Sequence, residues 1–200
     1  AKKFMALALA AVLSVGCAFC VSADGSRTKD VTVSQEQSQI YEIIQKIEDT
    51  EGVKDLQQKY PTIAEAFQKV GEGKMDMPEF IDVLKALATD EKDETLKAKL
   101  EEVIEKLDGK DFVTGFIQFK VLDSVKAVKN ADGKYEVEFS VPSITDDMEN
   151  IQLVCYNEET KEWTIVDPIN VDKEKKTIKV ALDDLCYFTI VADAKEDTAE

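Results

Sequence analysis

Apolar positions recur at helical spacing between Ser34 and Leu107 and alternate after Phe112, so periodicity divides the chain in two. Ile40, Ile43, Ile44 and Ile47 keep the i, i+3, i+4, i+7 spacing that gathers side chains on one helical face. Val53 and Leu56 continue in a short second helix. Pro61 starts a third, since proline is tolerated in a first turn, and Ile63, Ala66, Phe67 and Val70 form its inward stripe. Gly71-Glu72-Gly73 breaks that helix, and Pro78 opens the next, with Phe80, Leu84 and Leu87 on its apolar side. A last helix begins near Asp93, turns Leu96, Leu100, Val103 and Leu107 inward, and ends at Gly109. Such stripes are buried only against one another or against a neighbouring sheet, which predicts a small helical bundle.

Phe112 to Leu122 is rich in aromatic and β-branched residues, and repeated strand signals follow it. Tyr135, Val137, Phe139 and Val141 alternate after a turn at Asn130-Ala131-Asp132-Gly133. Ile151, Leu153 and Cys155 alternate next, and Trp163 and Ile165 follow a polar loop over 157–162. Ile178, Val180 and Leu182 alternate again, and Cys186, Phe188 and Ile190 end the series. Short strands with one apolar face each predict an antiparallel sandwich of the immunoglobulin-like kind. The expected fold class is therefore α+β segregated, with a helical domain over 34–110 and a β-sandwich domain over 111–193.

The segment before these units has its own pattern. Lys2 and Lys3 precede an apolar run from Phe4 to Val15, and Val21-Ser22-Ala23 supplies the small residues a signal peptidase reads. Residues 1–23 are expected to be a signal peptide and 24–33 a flexible leader, which places the protein in the secreted or cell-envelope compartment. Leu13-Ser14-Val15-Gly16-Cys17 offers a second reading of the same stretch. It resembles a lipobox in which Cys17 carries lipid, although Ser14 stands where a branched apolar residue is usual. The apolar run is too short to remain as a membrane span. Residues 194–200 form an acidic tail without a sorting motif.

Net charge sharpens the picture. The chain carries −16, and removing Lys2 and Lys3 with the signal makes the rest more acidic still. Such a surface repels nucleic acid and anionic lipid, and favours cations or basic partners. With no histidine, Ser-His-Asp and Cys-His catalysis are excluded, and so is the commonest transition-metal ligand. Of four cysteines, only Cys155 and Cys186 lie beyond residue 23, too few for a cysteine zinc site.

Several C-terminal segments occur in a familiar order. They are Phe112 to Leu122, then Val137-Glu138-Phe139-Ser140-Val141-Pro142, and then the stretch from Cys155-Tyr156-Asn157 through Thr160 to Trp163. Leu185-Cys186-Tyr187-Phe188-Thr189-Ile190-Val191-Ala192-Asp193 closes the series. Together they resemble a small β-sandwich module of exported and cell-surface proteins of Gram-positive-type anaerobic bacteria. Cys186 stands where that module usually has serine, and Lys161 where it often has glycine. The resemblance covers about the last 80 residues and implies an envelope-associated, non-catalytic module. It transfers no active-site residue.

Candidate chemistry is sparse, and no set of residues has the composition of a catalytic or cofactor site. Cys155 and Cys186 fall on the apolar parity of their strands, as a disulfide across the core or as two buried free thiols. Gly71 to Phe80 resembles the second half of a calcium-binding EF-hand loop ending at Glu79. Counting back, however, puts Gln68 and Val70 where oxygen ligands belong, so a glycine- and proline-closed helical corner is the expected structure. Asp146, Asp147 and Glu149, with Asp183 and Asp184, are loop carboxylates able in principle to hold Ca2+. Tyr156 and Tyr187 lie on the strand face opposite the cysteines and are the candidate ligand-facing aromatics, whereas Trp163 reads as core. The expected function is an exported, non-enzymatic binding or structural module whose partner is an envelope protein or wall polysaccharide. A carbohydrate-binding accessory module is the second reading, and a small hydrolase using two carboxylates is the third.

Overall fold

The computed structural model describes residues 31–45, 51–122 and 129–195. The signal peptide with Cys17, most of the leader, Ile47 and residues 196–200 of the acidic tail lie outside the described residues. Among the described residues are four α-helices and ten β-strands in two antiparallel sheets, an α+β fold.

The chain enters through two strands, β1 (Thr32–Val33) and β2 (Tyr41–Ile44). Two expectations are corrected here. Residues 31–33 are not part of a flexible leader, because Val31 is buried and Thr32 and Val33 pair with a sheet. The isoleucines from Ile40 to Ile44 do not form a helix. Residues 34–40 run through turns, where the Gln37 side chain donates to the Glu136 carbonyl at 3.0 Å and accepts the Glu138 N–H at 2.9 Å. That clamp delivers Tyr41–Ile44 to the sheet edge, a setting suited to β-branched and aromatic side chains.

Four helices follow: α1 (Glu51–Lys59), α2 (Pro61–Gly71), α3 (Met77–Asp90) and α4 (Glu94–Leu107). Their ends follow local chemistry. Pro61 occupies the first turn of α2, and the Asp93 carboxylate caps α4 by accepting the N–H groups of Thr95 and Leu96. At α3 the Asp76 carboxylate accepts the Glu79 N–H at 2.9 Å, and the Glu79 carboxylate accepts the Asp76 N–H at 3.1 Å. This reciprocal capping box gives Glu79 a helix-starting role in the corner where an EF-hand would use it as a ligand. Gly109 leaves α4 with φ +74°, which suits a residue without Cβ.

The remaining strands are β3 (Lys110–Phe112), β4 (Ile117–Val121), β5 (Tyr135–Ser140), β6 (Gln152–Tyr156), β7 (Trp163–Val166), β8 (Asn170–Asp172), β9 (Thr177–Leu182) and β10 (Tyr187–Asp193). One sheet has the order β1-β5-β9-β8. The other runs β2-β4-β10-β6-β7, with β3 also paired to β10. The aromatic and β-branched stretch over 112–122 is therefore split between two strands. Between β3 and β4 the Thr114 hydroxyl takes the Ile190 N–H at 3.0 Å, so a side chain continues the ladder where the backbone leaves it.

Burial patterns separate the sheets. β9 alternates strictly between buried and half-buried residues, as expected of a sheet with one covered face, whereas six of the seven residues of β10 are buried. Ile117, Phe119, Leu153, Phe188 and Ile190 share one apolar cluster with Val137, Phe139, Ile178 and Val180 of the other sheet. The opposite face of the β10 sheet, with Val154, Tyr156, Trp163 and Tyr187, shares a second cluster with the helical stripes. The helices thus bury their apolar stripes against that sheet as well as against each other.

Candidate functional site: a polar cleft beside buried tyrosines

Three neighbouring strands bring polar side chains into one row. In the sheet register Gln118 of β4 lies opposite Tyr187 of β10, which lies opposite Tyr156 of β6. Alternation puts all three on the helix-facing side, because Ile117, Phe119, Cys155 and Phe188 point between the sheets. This corrects the expectation that Tyr156 and Tyr187 are exposed, ligand-facing aromatics. Their parity is as expected, but the helices cover that face, and only 1% of Tyr156 and 2% of Tyr187 is exposed. Trp163 is core, as expected, 4.8 Å from the Tyr156 ring centroid.

Gln118 is 6% exposed and donates from Nε2 to the Tyr187 phenol at 3.1 Å. Its carbonyl oxygen, the Tyr156 hydroxyl and Oε2 of Glu158 are buried without a hydrogen-bond partner among the described residues. Each such group costs about 1–3 kcal/mol of desolvation. Burial, together with the nearby Tyr60 and Glu158, pushes the Tyr156 phenol well up. Burial first, and then Glu158 and Asp55, does the same to Tyr187. Burial also raises Glu158, opposed by Lys59 and Lys120 and reinforced by Asp55 and Glu159.

Gln118 and Tyr187 of this row line a cleft of about 480 Å³, together with Lys120, Tyr135, Glu158 and Asp184 among others. Its size is ordinary for a small-molecule site. One wall is the β6–β7 turn, held by Asn157, whose side-chain oxygen accepts the N–H groups of Glu159 and Thr160. In that turn Lys161 has φ +62°, the left-handed region that favours glycine. At the rim the Lys129 ammonium sits 4.9 Å from the centroid of the Tyr135 ring and donates to the Asp183 carbonyl at 2.6 Å.

Cys155 and Cys186 are both free and buried. Cys155 pairs with Phe188, so Cys186, two residues earlier, is its diagonal neighbour on the same face. A hydrogen bond between the two side chains, and then burial, holds the Cys155 thiol well above its ordinary range, the reverse of what a nucleophilic cysteine needs.

Three of the five loop carboxylates, Asp147, Asp183 and Asp184, are matched to lysines. Asp147 pairs with Lys195 at 2.5 Å and accepts from the Thr145 hydroxyl, which brings it down to about 2. Asp183 pairs with Lys134 at 3.2 Å and Asp184 with Lys129 at 3.4 Å. Among the described residues no group of three acidic or cysteine side chains is placed to hold a metal ion. No described helix is long and apolar enough to cross a membrane.

Sequence reasoning passed over Gln118 and Glu158. The available signal was a polar residue flanked by Ile117 and Phe119 in a strand that reads as buried. No family model, curated protein or solved structure matches the chain.

Proposed function

We propose that the protein is an exported, non-enzymatic binding module of the cell envelope, and that it holds its ligand in the cleft beside Gln118 and Glu158. The observation that carries this reading is that Gln118 and Glu158, each with a buried oxygen that lacks a partner among the described residues, line one cleft. A spacer gains nothing from such groups, since apolar replacements would remove their desolvation cost. A binding site keeps them for a ligand to satisfy. The signal-like residues 1–23 support export. The resemblance of the C-terminal half supports an immunoglobulin-like reading of the two sheets, with the helices as an added layer. The left-handed Lys161, at a position where the resembled pattern often carries glycine, agrees with it.

A second reading, a carbohydrate-binding module, is favoured by the half-buried Tyr135 ring and by Asn157 and Thr160 in the cleft wall. Tyr156 and Tyr187 are buried in the helix-facing cluster, so no flat aromatic platform supports it.

The deciding experiment is amide NMR on the protein recovered after export, titrated with wall polysaccharide fragments and with solubilised envelope protein. Binding at the cleft moves resonances of 118–121, 157–160 and 184–187 and leaves β8 and β9 still. Saturable shifts elsewhere, or none with either material, refute the site. Intact mass of the same sample reads the export signal, as cleavage after Ala23 or as lipid on Cys17.

A further inference from the structure

Resting on that reading of the cleft, we propose that its ligand is an organic ammonium, either a free amine or the end of a lysine side chain. The argument begins from what the buried groups lack. Of the residues that line the cleft with an unpartnered buried oxygen, Gln118 offers a carbonyl that only accepts, and ionised Glu158 only accepts. The amide N–H of Gln118 is already engaged with Tyr187. The deficit is therefore in donors. An ammonium brings three donors and no acceptor, whereas a hydroxyl ligand brings one donor and acceptors that need donors of their own.

Charge points the same way. Glu158, Glu159 and Asp184 line the cleft against Lys120, in a chain whose net charge is −16. A cation placed beside Glu158 compensates the burial that disfavours its ionised form. The rim already shows how this surface treats an ammonium. Lys129 lies over Tyr135, donates to a backbone carbonyl and pairs with Asp184. A ligand ammonium one step further in meets the same kinds of group: a carboxylate, an amide carbonyl and phenols.

Three probes test the class by calorimetry and amide NMR at low and at moderate salt: cadaverine, Nα-acetyl-lysine amide and the neutral sugar chitobiose. The expected result is saturable amine binding that weakens with salt and moves resonances of 118–121 and 157–160. It should fall at least tenfold in Glu158→Gln and in Gln118→Leu. The melting temperature of Glu158→Gln should stay level or rise, since it removes a desolvated charge, whereas Gln118→Leu also strands the Tyr187 hydroxyl and should melt lower. A purely structural role for Glu158 predicts lower melting and unchanged affinity. Binding of cadaverine alone identifies a free amine, and binding of the lysine derivative identifies a protein side chain. Chitobiose shifting the same amides while both amines fail overturns the ammonium class and leaves the cleft standing. If all three probes fail, or if affinities ignore both substitutions, the ammonium class and the cleft reading fall together.

Discussion

Phe67 of α2 stacks on Phe116, with ring centroids 3.8 Å apart and planes 14° from parallel. The same ring meets Tyr156 and Trp163 edge-on, at 6.0 and 5.9 Å. One helical side chain thus touches both the segment leading into β4 and the β6–β7 hairpin, and it roofs the tyrosine row. Phe67→Ala should cost about 3–5 kcal/mol, the range for a buried phenylalanine. Urea unfolding followed through Trp163 measures it. A loss under about 1 kcal/mol would mean that the helical layer is not held by this contact.

Three of the five tyrosines, Tyr41, Tyr156 and Tyr187, have raised phenol pKa values, with burial the largest cause in each. Unfolded phenols ionise near about 10. Above that pH the unfolded chain sheds protons that the folded chain retains, so these groups leave stability intact below pH of about 10 and erode it above. Tyrosinate absorbance should therefore show three phenols ionising together with unfolding. Smooth ionisation of all five ahead of any loss of structure would contradict the burial described.

Glu158 behaves in the same sense at the acid end. Its folded pKa is raised, so the charged form is a cost at neutral pH that disappears as pH falls below the ordinary carboxylate range. Glu158→Gln should melt above the parent at pH 7, and the gap should close by about pH 4, where unfolded glutamates protonate. Thermal melts at the two pH values decide it, and a gap that widens in acid would reverse the assignment.

Asp76 and Glu79 make a capping box. Asp76→Ala should cost about 1 kcal/mol and Glu79→Gln much less, because glutamine serves at that position of the motif. Calcium should leave the amide resonances of 71–80 unmoved. Calcium-dependent shifts there would restore the ligand role that Val70 argues against.

Cys155 and Cys186 are buried, with 4% and 8% exposed. Both thiols should be silent to a disulfide reagent in the native protein and react at the rate of unfolding, Cys186 first if native opening allows. A fast native reaction at Cys155 would show that the space between the sheets is open.

Helices α2, α3 and α4 were legible because their punctuation is local: Pro61, Gly71, Pro78, Asp93 and Gly109 mark boundaries without reference to the rest of the chain. The strand at Tyr41–Ile44 was not. Its isoleucines satisfy helical spacing, and what decides otherwise is pairing with β4, whose partner residues Gln118 to Val121 are far along the sequence. Alternation assigned the correct face to Tyr156 and Tyr187, but parity does not say what covers a face, and the cover comes from helices earlier in the chain. Gln118 was overlooked for a related reason. A polar residue between two apolar ones looks like an ordinary solvent-facing strand position until both faces of the sheet prove to be covered.

The central position of β10 governs how the molecule can be made. Its partners β3, β4 and β6 all precede it in the chain. During synthesis those strands emerge with open edges, and the helices emerge above a sheet that lacks its middle. Neither apolar cluster can close until Asp193 has left the ribosome, because Phe188 and Ile190 belong to one and Tyr187 and Val191 to the other. Both clusters thus stay open until the end of synthesis, a form that a chaperone can hold.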